Sequence, residues 1–202
     1  MNELEIFTCP QNSPEWYQAR LGLVTMSELK SVMAKGQGIT RRKYLLTVVG
    51  ELLAGQPFER YTNADMERGH ILEQEARDAY TLQTDIEVEQ IGFMRRGRVG
   101  YSPDGLAGAS GLLEIKTKMY HLHLECILSN AVPSEHMLQC QGGLWVSGRE
   151  WLDFVSYAPG LALFVKRVYR DEKKIAEIKI EVEDFLHEVD ITIGKINLYR
   201  RG

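Results

Sequence analysis

No apolar run in the sequence approaches the roughly 20 residues that a membrane-crossing helix needs, so a helical membrane protein is not expected. The first ten residues carry acids and lack a basic-then-apolar leader, which argues against export. Cysteine is scarce. Cys9, Cys126 and Cys140 are odd in number, scattered, and free of CxxC spacing, which speaks against a disulfide framework or a thiolate zinc site. They are expected to be buried thiols in a reducing cytoplasm. There is no Pro/Ser-rich linker, internal repeat or low-complexity stretch. An excess of positive charge is also missing: 24 Lys and Arg stand against 28 Asp and Glu, a net charge of −4. That opposes a protein coating nucleic acid by bulk charge. A local basic track is still possible through Arg41-Arg42-Lys43, Arg95-Arg96 with Arg98, Lys166-Arg167 or Lys173-Lys174, although each such cluster also suits a solvated face.

What is present suits one domain over residues 1–202 with a single sizeable core. The first third reads helical. Ser13 caps a short helix that has Pro14 at its first position. A second helix starts at Thr25 or Ser27, a third is capped by Thr40 and runs through Ala54, and a fourth runs from an Asn63 cap to about Leu82. The period then changes. Residues 86–94, 99–102, 105–107 and 112–118 read as strands. Helices follow over 120–129 and 134–146, strands over 151–157 and 162–169, and a long terminal helix after Asp171 that bends before Tyr199. Loops are expected near 35–38, 55–57, 97–99, 107–111 and 158–161. This order predicts an α/β (α+β) fold, a central mixed β-sheet flanked by helices.

The chemistry centres on Ser102-Pro103-Asp104-Gly105 and Glu114-Ile115-Lys116. The Gly-containing segment between Asp104 and Glu114 lets the two pieces form one hairpin. Strand alternation puts Leu113 and Ile115 on one face and Glu114 and Lys116 on the other, where Asp104 can reach them. Two converging carboxylates suit Mg²⁺, a hard cation, with the Ile115 carbonyl as a further ligand. A lysine beside them can orient the attacking water or offset charge growing at phosphorus. Such a pattern arises by accident in roughly 5% of chains this size, so it needs support from elsewhere.

Support comes from two helices. Glu73 lies on the apolar or small face formed by Met66, Gly69, Leu72, Ala76, Ala79 and Tyr80. A carboxylate there either pairs with Arg77 or joins a metal site. In the helix over 134–146, Gln139 shares a side with Gly142, Gly143 and Val146, whereas Gln141 falls within the core face of Met137, Leu138, Leu144 and Trp145. Either amide could hold a phosphate or a water, and the glycines admit another backbone or a substrate. His121-x-His123 reads as surface rather than as a metal site, and His70 and His136 have no evident partner.

Four ordered blocks within residues 13–148 resemble the lambda-exonuclease family, also called YqaJ-type viral recombinases. They are Trp16-Tyr17-Gln18-Ala19-Arg20-Leu21-Gly22 running on to Thr25-Met26-Ser27-Glu28, then Arg68-Gly69-His70-Ile71-Leu72-Glu73-Gln74-Glu75-Ala76-Arg77, then Tyr101-Ser102-Pro103-Asp104-Gly105-Leu106 with Leu113-Glu114-Ile115-Lys116, and Gln139-Cys140-Gln141-Gly142-Gly143-Leu144-Trp145-Val146. The resemblance implies a PD-(D/E)XK restriction-endonuclease-like core. It assigns Asp104, Glu114, the Ile115 carbonyl and Glu73 to two Mg²⁺ ions (with Mn²⁺ as a substitute), Lys116 as catalytic lysine, and Gln139 as active-site glutamine. It places Arg20, Ser27 and Ser102 in a 5′-phosphate pocket, where an arginine fork and serine hydroxyls suit phosphate. Trp16 could stack on a terminal base or anchor its helix. The family pattern is broken at Gly142-Gly143, where relatives carry bulkier residues; the packing of that helix and the choice between the glutamines stay open.

The resemblance further implies a 5′-to-3′ exonuclease on double-stranded DNA ends, a homotrimer ring, a single-strand annealing protein as partner, and a phage or prophage setting in a bacterial cytoplasm. The rivals are an endonuclease of the same superfamily and a catalytically silent DNA-binding module.

Overall fold

The computed structural model describes residues 3–34, 38–57 and 64–199, the side chains of 64–70 excepted. The Asn63 cap, the 35–37 loop and the side chains of Met66 and His70 therefore lie outside the described residues.

Strand β1 (Leu4–Phe7) precedes helix α1 (Pro14–Arg20), whose Ser13 cap accepts the Trp16 amide and whose first residue is Pro14, as the sequence predicts. The expected second helix resolves into a short strand β2 (Val24–Thr25), a 3₁₀ turn at Met26–Glu28, and α2 (Leu29–Val32). Helix α3 (Ile39–Ala54) is capped by Gly38 rather than Thr40 and stops at Gly55, whose left-handed φ of 68° suits a residue without Cβ. Helix α4 spans Ala64–Thr84.

The stretch 86–94 is not one strand. It divides into β3 (Val88–Glu89) and β4 (Phe93–Arg96), which join different sheets. The switch occurs at Gly92, whose N–H donates to Phe7 O at 2.9 Å. A Cβ there would collide with the Cys9 carbonyl, so glycine is what allows the chain to pass. Then come β5 (Val99–Tyr101), β6 (Gly105–Ala107), β7 (Gly111–Thr117), α5 (Tyr120–Ser129), α6 (Ser134–Ser147), β8 (Trp151–Tyr157), β9 (Phe164–Tyr169) and α7 (Glu172–Tyr199).

The α/β class is as expected, but the strands form two mixed sheets where the sequence suggested one. One has the order β1-β4-β5-β2 and the other β3-β6-β7-β8-β9. In the larger sheet β7 runs antiparallel to β6 and parallel to β8, and the crossover between β7 and β8 carries α5 and α6. Helix α6 packs on one side of β7 and β8, and α4 packs on the other. The main core gathers residues such as Val48, Met94, Leu144, Phe154 and Phe185; a smaller one joins Ala76, Tyr80, Leu113, Ile115 and Val155. Helix α7 buries Ile175, Ile178, Val182, Phe185 and Val189, a stripe spaced three and four residues apart that seals it against α3 and α6. Helix α7 runs as one helix to Tyr199. No described helix is long and apolar enough to cross a membrane.

Candidate active site

The β6–β7 hairpin pairs Gly105 with Leu113, which sets Asp104 opposite Glu114. The Asp104 N–H donates to Leu113 O at 3.0 Å, and its Oδ2 accepts the Ile115 N–H at 2.5 Å. Alternation along β7 turns Leu113 and Ile115 into the smaller core and Glu114 and Lys116 to the other side. Glu114 is only 1% exposed, so its charge must be met locally. Oε1 receives the Lys116 ammonium and the Gln139 amide, each at 2.6 Å, and Oε2 receives the Tyr101 hydroxyl at 2.6 Å. Tyr101, in β5 of the other sheet, is a contact that the sequence reading did not assign, although Tyr101 heads the third matching block; its hydroxyl is buried and finds its partner in Glu114.

Electrostatics mark the same point. Burial, then the Glu114 and Glu73 carboxylates, push the Asp104 carboxyl well above the usual carboxylate range. Burial pulls Lys116 down, but Glu114 and Asp104 outweigh it and keep the ammonium charged. The Tyr101 hydroxyl and the Cys140 thiol are raised by burial and by Glu114.

Glu73 meets Arg77 at 2.6 Å, while the Arg77 Nε donates to Asp104 O at 3.2 Å. The two readings of Glu73 are thus not exclusive: its salt-bridge partner is also fastened to the Asp104 backbone. Among the described residues no three acidic, His or Cys side chains converge into a closed ion cage. Each carboxylate instead faces a donor: Arg77 for Glu73, Ile115 N–H for Asp104, and three groups for Glu114. The donor set nevertheless fits a hard divalent cation. It is oxygen only, and the like-charge strain at Asp104 is what such an ion would relieve.

The glutamines separate because two residues on a helix point about 200° apart. Gln139 faces Glu114. Gln141, 2% exposed, donates to Tyr169 O and accepts from Asp171 N–H, each at 2.9 Å, and so ties α6 to the end of β9. Gly142 and Gly143 do not make room for substrate. A Cβ at Gly142 would lie 2.5 Å from Leu29 Cδ1, and one at Gly143 would lie 2.7 Å from Tyr101 Cζ. Both let α6 press onto side chains of the protein itself.

A second cluster adjoins the first. Ser102 Oγ accepts from Arg20 at 2.9 Å and from the Trp16 indole at 3.0 Å. Trp16 is buried, its Nε1 also reaches Gly92 O, and the Arg20 guanidinium lies over its ring at 4.0 Å. The indole is a floor for Arg20 and Ser102, and the stacking role suggested for it finds that face taken by Arg20. Ser27 is exposed and meets Thr25 Oγ1 at 3.3 Å; Thr25 and Arg20 line one pocket. Among the described residues, Ser27 is joined to the cluster through its neighbour Thr25.

Two histidine readings are corrected. His123 is fully buried in α5 and bonds Ser156 Oγ at 2.8 Å and Ala162 O at 2.9 Å, because residue 123 lies on the inner face of the helix and not on its surface. His136 does have a partner, Lys118, at 3.0 Å. All three cysteines are free; Cys126 and Cys140 are buried and Cys9 only partly so. Among the described residues, four arginines of the basic clusters are tied up in ion pairs. Arg41 pairs with Glu188, Arg95 with Glu5, Arg98 with Asp190 and Arg167 with Asp153.

Comparison with known proteins places the chain in a family. Residues 15–150 match the YqaJ-like viral recombinase domain. The crystal structure of an alkaline exonuclease, LHK-Exo, from Laribacter hongkongensis is similar at 35% identity and a TM-score of 0.85, covering 94% of this chain and 98% of that one. The same exonuclease in complex with dAMP gives a TM-score of 0.86 at the same identity and coverage. A phage-related exonuclease from Haemophilus somnus 129PT shares the fold at 14% identity and a TM-score of 0.65, covering 86% of this chain and 96% of that one. No curated protein sequence matches. Likeness to LHK-Exo over nearly all of both chains makes this protein an enzyme, an exonuclease that hydrolyses DNA. The chain belongs to the YqaJ-like viral recombinase domain family.

Proposed function

We propose that the enzyme degrades one strand of linear double-stranded DNA in the 5′-to-3′ direction from 5′-phosphorylated ends, releasing mononucleotides and leaving 3′ single strands for phage-type recombination. The observation that carries this reading is the adjacency of two clusters: Asp104, Glu114, Lys116 and Gln139 in one, and Arg20 with Ser102 in the other, two residues from Asp104. The first suits a phosphodiester under attack, and the second suits a terminal phosphate.

Water adds to phosphorus while the bond to the 3′ oxygen of the terminal nucleotide breaks. The leaving oxygen takes up a proton, and the new end carries a 5′-phosphate that can enter the same pocket. Lys116 orients the water and offsets charge at phosphorus. The Gln139 amide and the Tyr101 hydroxyl hold Glu114 in place. Glu73, Asp104, Glu114 and the Ile115 carbonyl would hold two Mg²⁺ ions, or Mn²⁺, which supply electrostatic stabilisation of the reacting phosphate. The dAMP bound to LHK-Exo is a nucleoside monophosphate, the product class expected here. By resemblance, the chain works as a homotrimer ring beside a single-strand annealing protein in a bacterial host cytoplasm.

Removing the 5′-phosphate, or Arg20→Ala, should slow digestion of linear duplex about tenfold or more, given about 1.5–3 kcal/mol for a hydrogen bond to a charged group. Equal rates on phosphate and hydroxyl ends would remove the basis for the pocket. A covalently closed circle should survive. Its nicking or linearisation would favour an endonuclease, and failure to digest any DNA would favour a silent binding module.

A further inference from the structure

Glu114 and Lys116 on β7, with Lys118 one residue past its end, face a second row, His136 and Gln139, on α6. Strand and helix periods bring these rows into register: Gln139 meets Glu114, and one helical turn earlier His136 meets Lys118. The Lys118 Nζ lies 3.0 Å from His136 Nε2, and the Lys118 N–H is still laddered to Tyr157 O at 2.9 Å, so both ends of this residue are held. Unlike the arginines paired above, Lys118 has no carboxylate partner among the described residues. Its ammonium is held by an imidazole rather than by a carboxylate, although Glu135 Oε1 lies 3.9 Å from the same His136 Nε2.

The fixing group is suited to that task. His136 stacks on Phe154 with ring centroids 5.3 Å apart. Burial, then Lys118 and Lys116, hold its pKa down to about 4, against weaker opposite pulls from Glu135 and Glu114. An ammonium can only donate, so Nε2 takes the acceptor role and offers its lone pair to Lys118. A carboxylate in its place would cancel the charge that the strand end presents.

We infer that Lys118 is a substrate-binding residue that grips the DNA phosphate next to the one undergoing attack, with His136 as its positioning residue. The inference rests on the reading of Lys116 as the lysine at the scissile phosphate. Residues 116 and 118 are about 6.6 Å apart along a strand that rises about 3.3 Å per residue. That separation is comparable to the step between neighbouring phosphates on one nucleic-acid strand. A cation held on the same face, one step along, meets the next phosphate when the first sits at Lys116.

The test is steady-state digestion of a 5′-phosphorylated linear duplex over a salt series, with Lys118→Met, Lys118→Arg, His136→Leu and His136→Gln. Lys118→Met should raise KM at least fivefold with kcat within twofold. The slope of log KM against log salt should fall by about 0.7–0.9, the value for one phosphate contact. Lys118→Arg should restore KM and slope. His136→Leu should raise KM while the slope keeps its wild-type value, and His136→Gln, which retains an acceptor, should rescue it. A Lys118→Met enzyme with wild-type KM and slope overturns the inference. Lys116→Met distinguishes the underlying reading: if that variant digests at the wild-type rate, the site assignment itself has failed, whatever Lys118 does.

Discussion

Asp104→Asn should lose digestion of linear duplex by on the order of 10³-fold or more, yet melt at or above the temperature of the parent enzyme. The two expectations have one cause. Asp104 is held in a low-dielectric site beside Glu114 and Glu73, which raise the cost of its charge. Asparagine keeps the shape and an oxygen that can accept the Ile115 N–H, so the hairpin retains its bond across the β6–β7 turn. The negative charge is gone, and with it both the repulsion that weakens the fold and the charge proposed to help hold a divalent cation. Asp104→Ala separates the effects. It removes the acceptor as well, and the orphaned Ile115 N–H should cost about 1–3 kcal/mol of stability. Activity against duplex in Mg²⁺ and thermal melting, measured on both variants, are the checks. Digestion by Asp104→Asn at the parent rate would dismantle the assigned site; a large drop in its melting temperature would refute the account of the strain.

Gly143→Ala should destabilise the protein and lower its activity together. In an exposed helix interior, exchanging glycine for alanine stabilises by about 1 kcal/mol. Here the added methyl falls 2.7 Å from Tyr101 Cζ and 2.8 Å from its Cε1, and Tyr101 is only 1% exposed. Helix α6 or the ring must shift in a core with little spare volume, at a cost of about 1–3 kcal/mol. The shift reaches chemistry because the Tyr101 hydroxyl bonds Glu114, and α6 also carries Gln139 to the other oxygen of that carboxylate. Chemical denaturation should show the loss of stability, and kcat should fall several-fold at temperatures where the variant remains folded. A stabilised variant with full activity would show that the α6–β5 contact does not hold the site. Tyr101→Phe, which leaves the packing intact, should lower kcat without the full stability loss.

Much of this architecture follows from local pattern. The alternation in Leu113-Glu114-Ile115-Lys116 assigns faces without reference to anything distant, because a strand has a period of two. The turn between Asp104 and Glu114 is short enough that a hairpin is its natural closure. Ser13-Pro14 and Gly55 mark helix ends by backbone chemistry that acts within a few residues. Other features escaped the same reading. The stretch 86–94 had the composition of one strand, and its division at Gly92 depends on the Cys9 carbonyl more than eighty residues earlier in the chain. His121-x-His123 read as surface, but within the predicted helix His123 falls on the inner face, onto Ser156 and Ala162, which only the packing of that helix decides.

The sequence by itself determined the α/β class, the hairpin that carries Asp104, Glu114 and Lys116, and the helices that bear Glu73 and Gln139, because caps, turns and hydrophobic periods are short-range effects. Only the tertiary structure decided that the strands form two sheets, that Gln139 rather than Gln141 meets Glu114, that Tyr101 reaches across from the other sheet, and that Arg77 links Glu73 to the Asp104 backbone. Those choices follow from which buried polar groups find partners when distant segments pack, a condition satisfied by the whole chain at once and written in no single stretch of it.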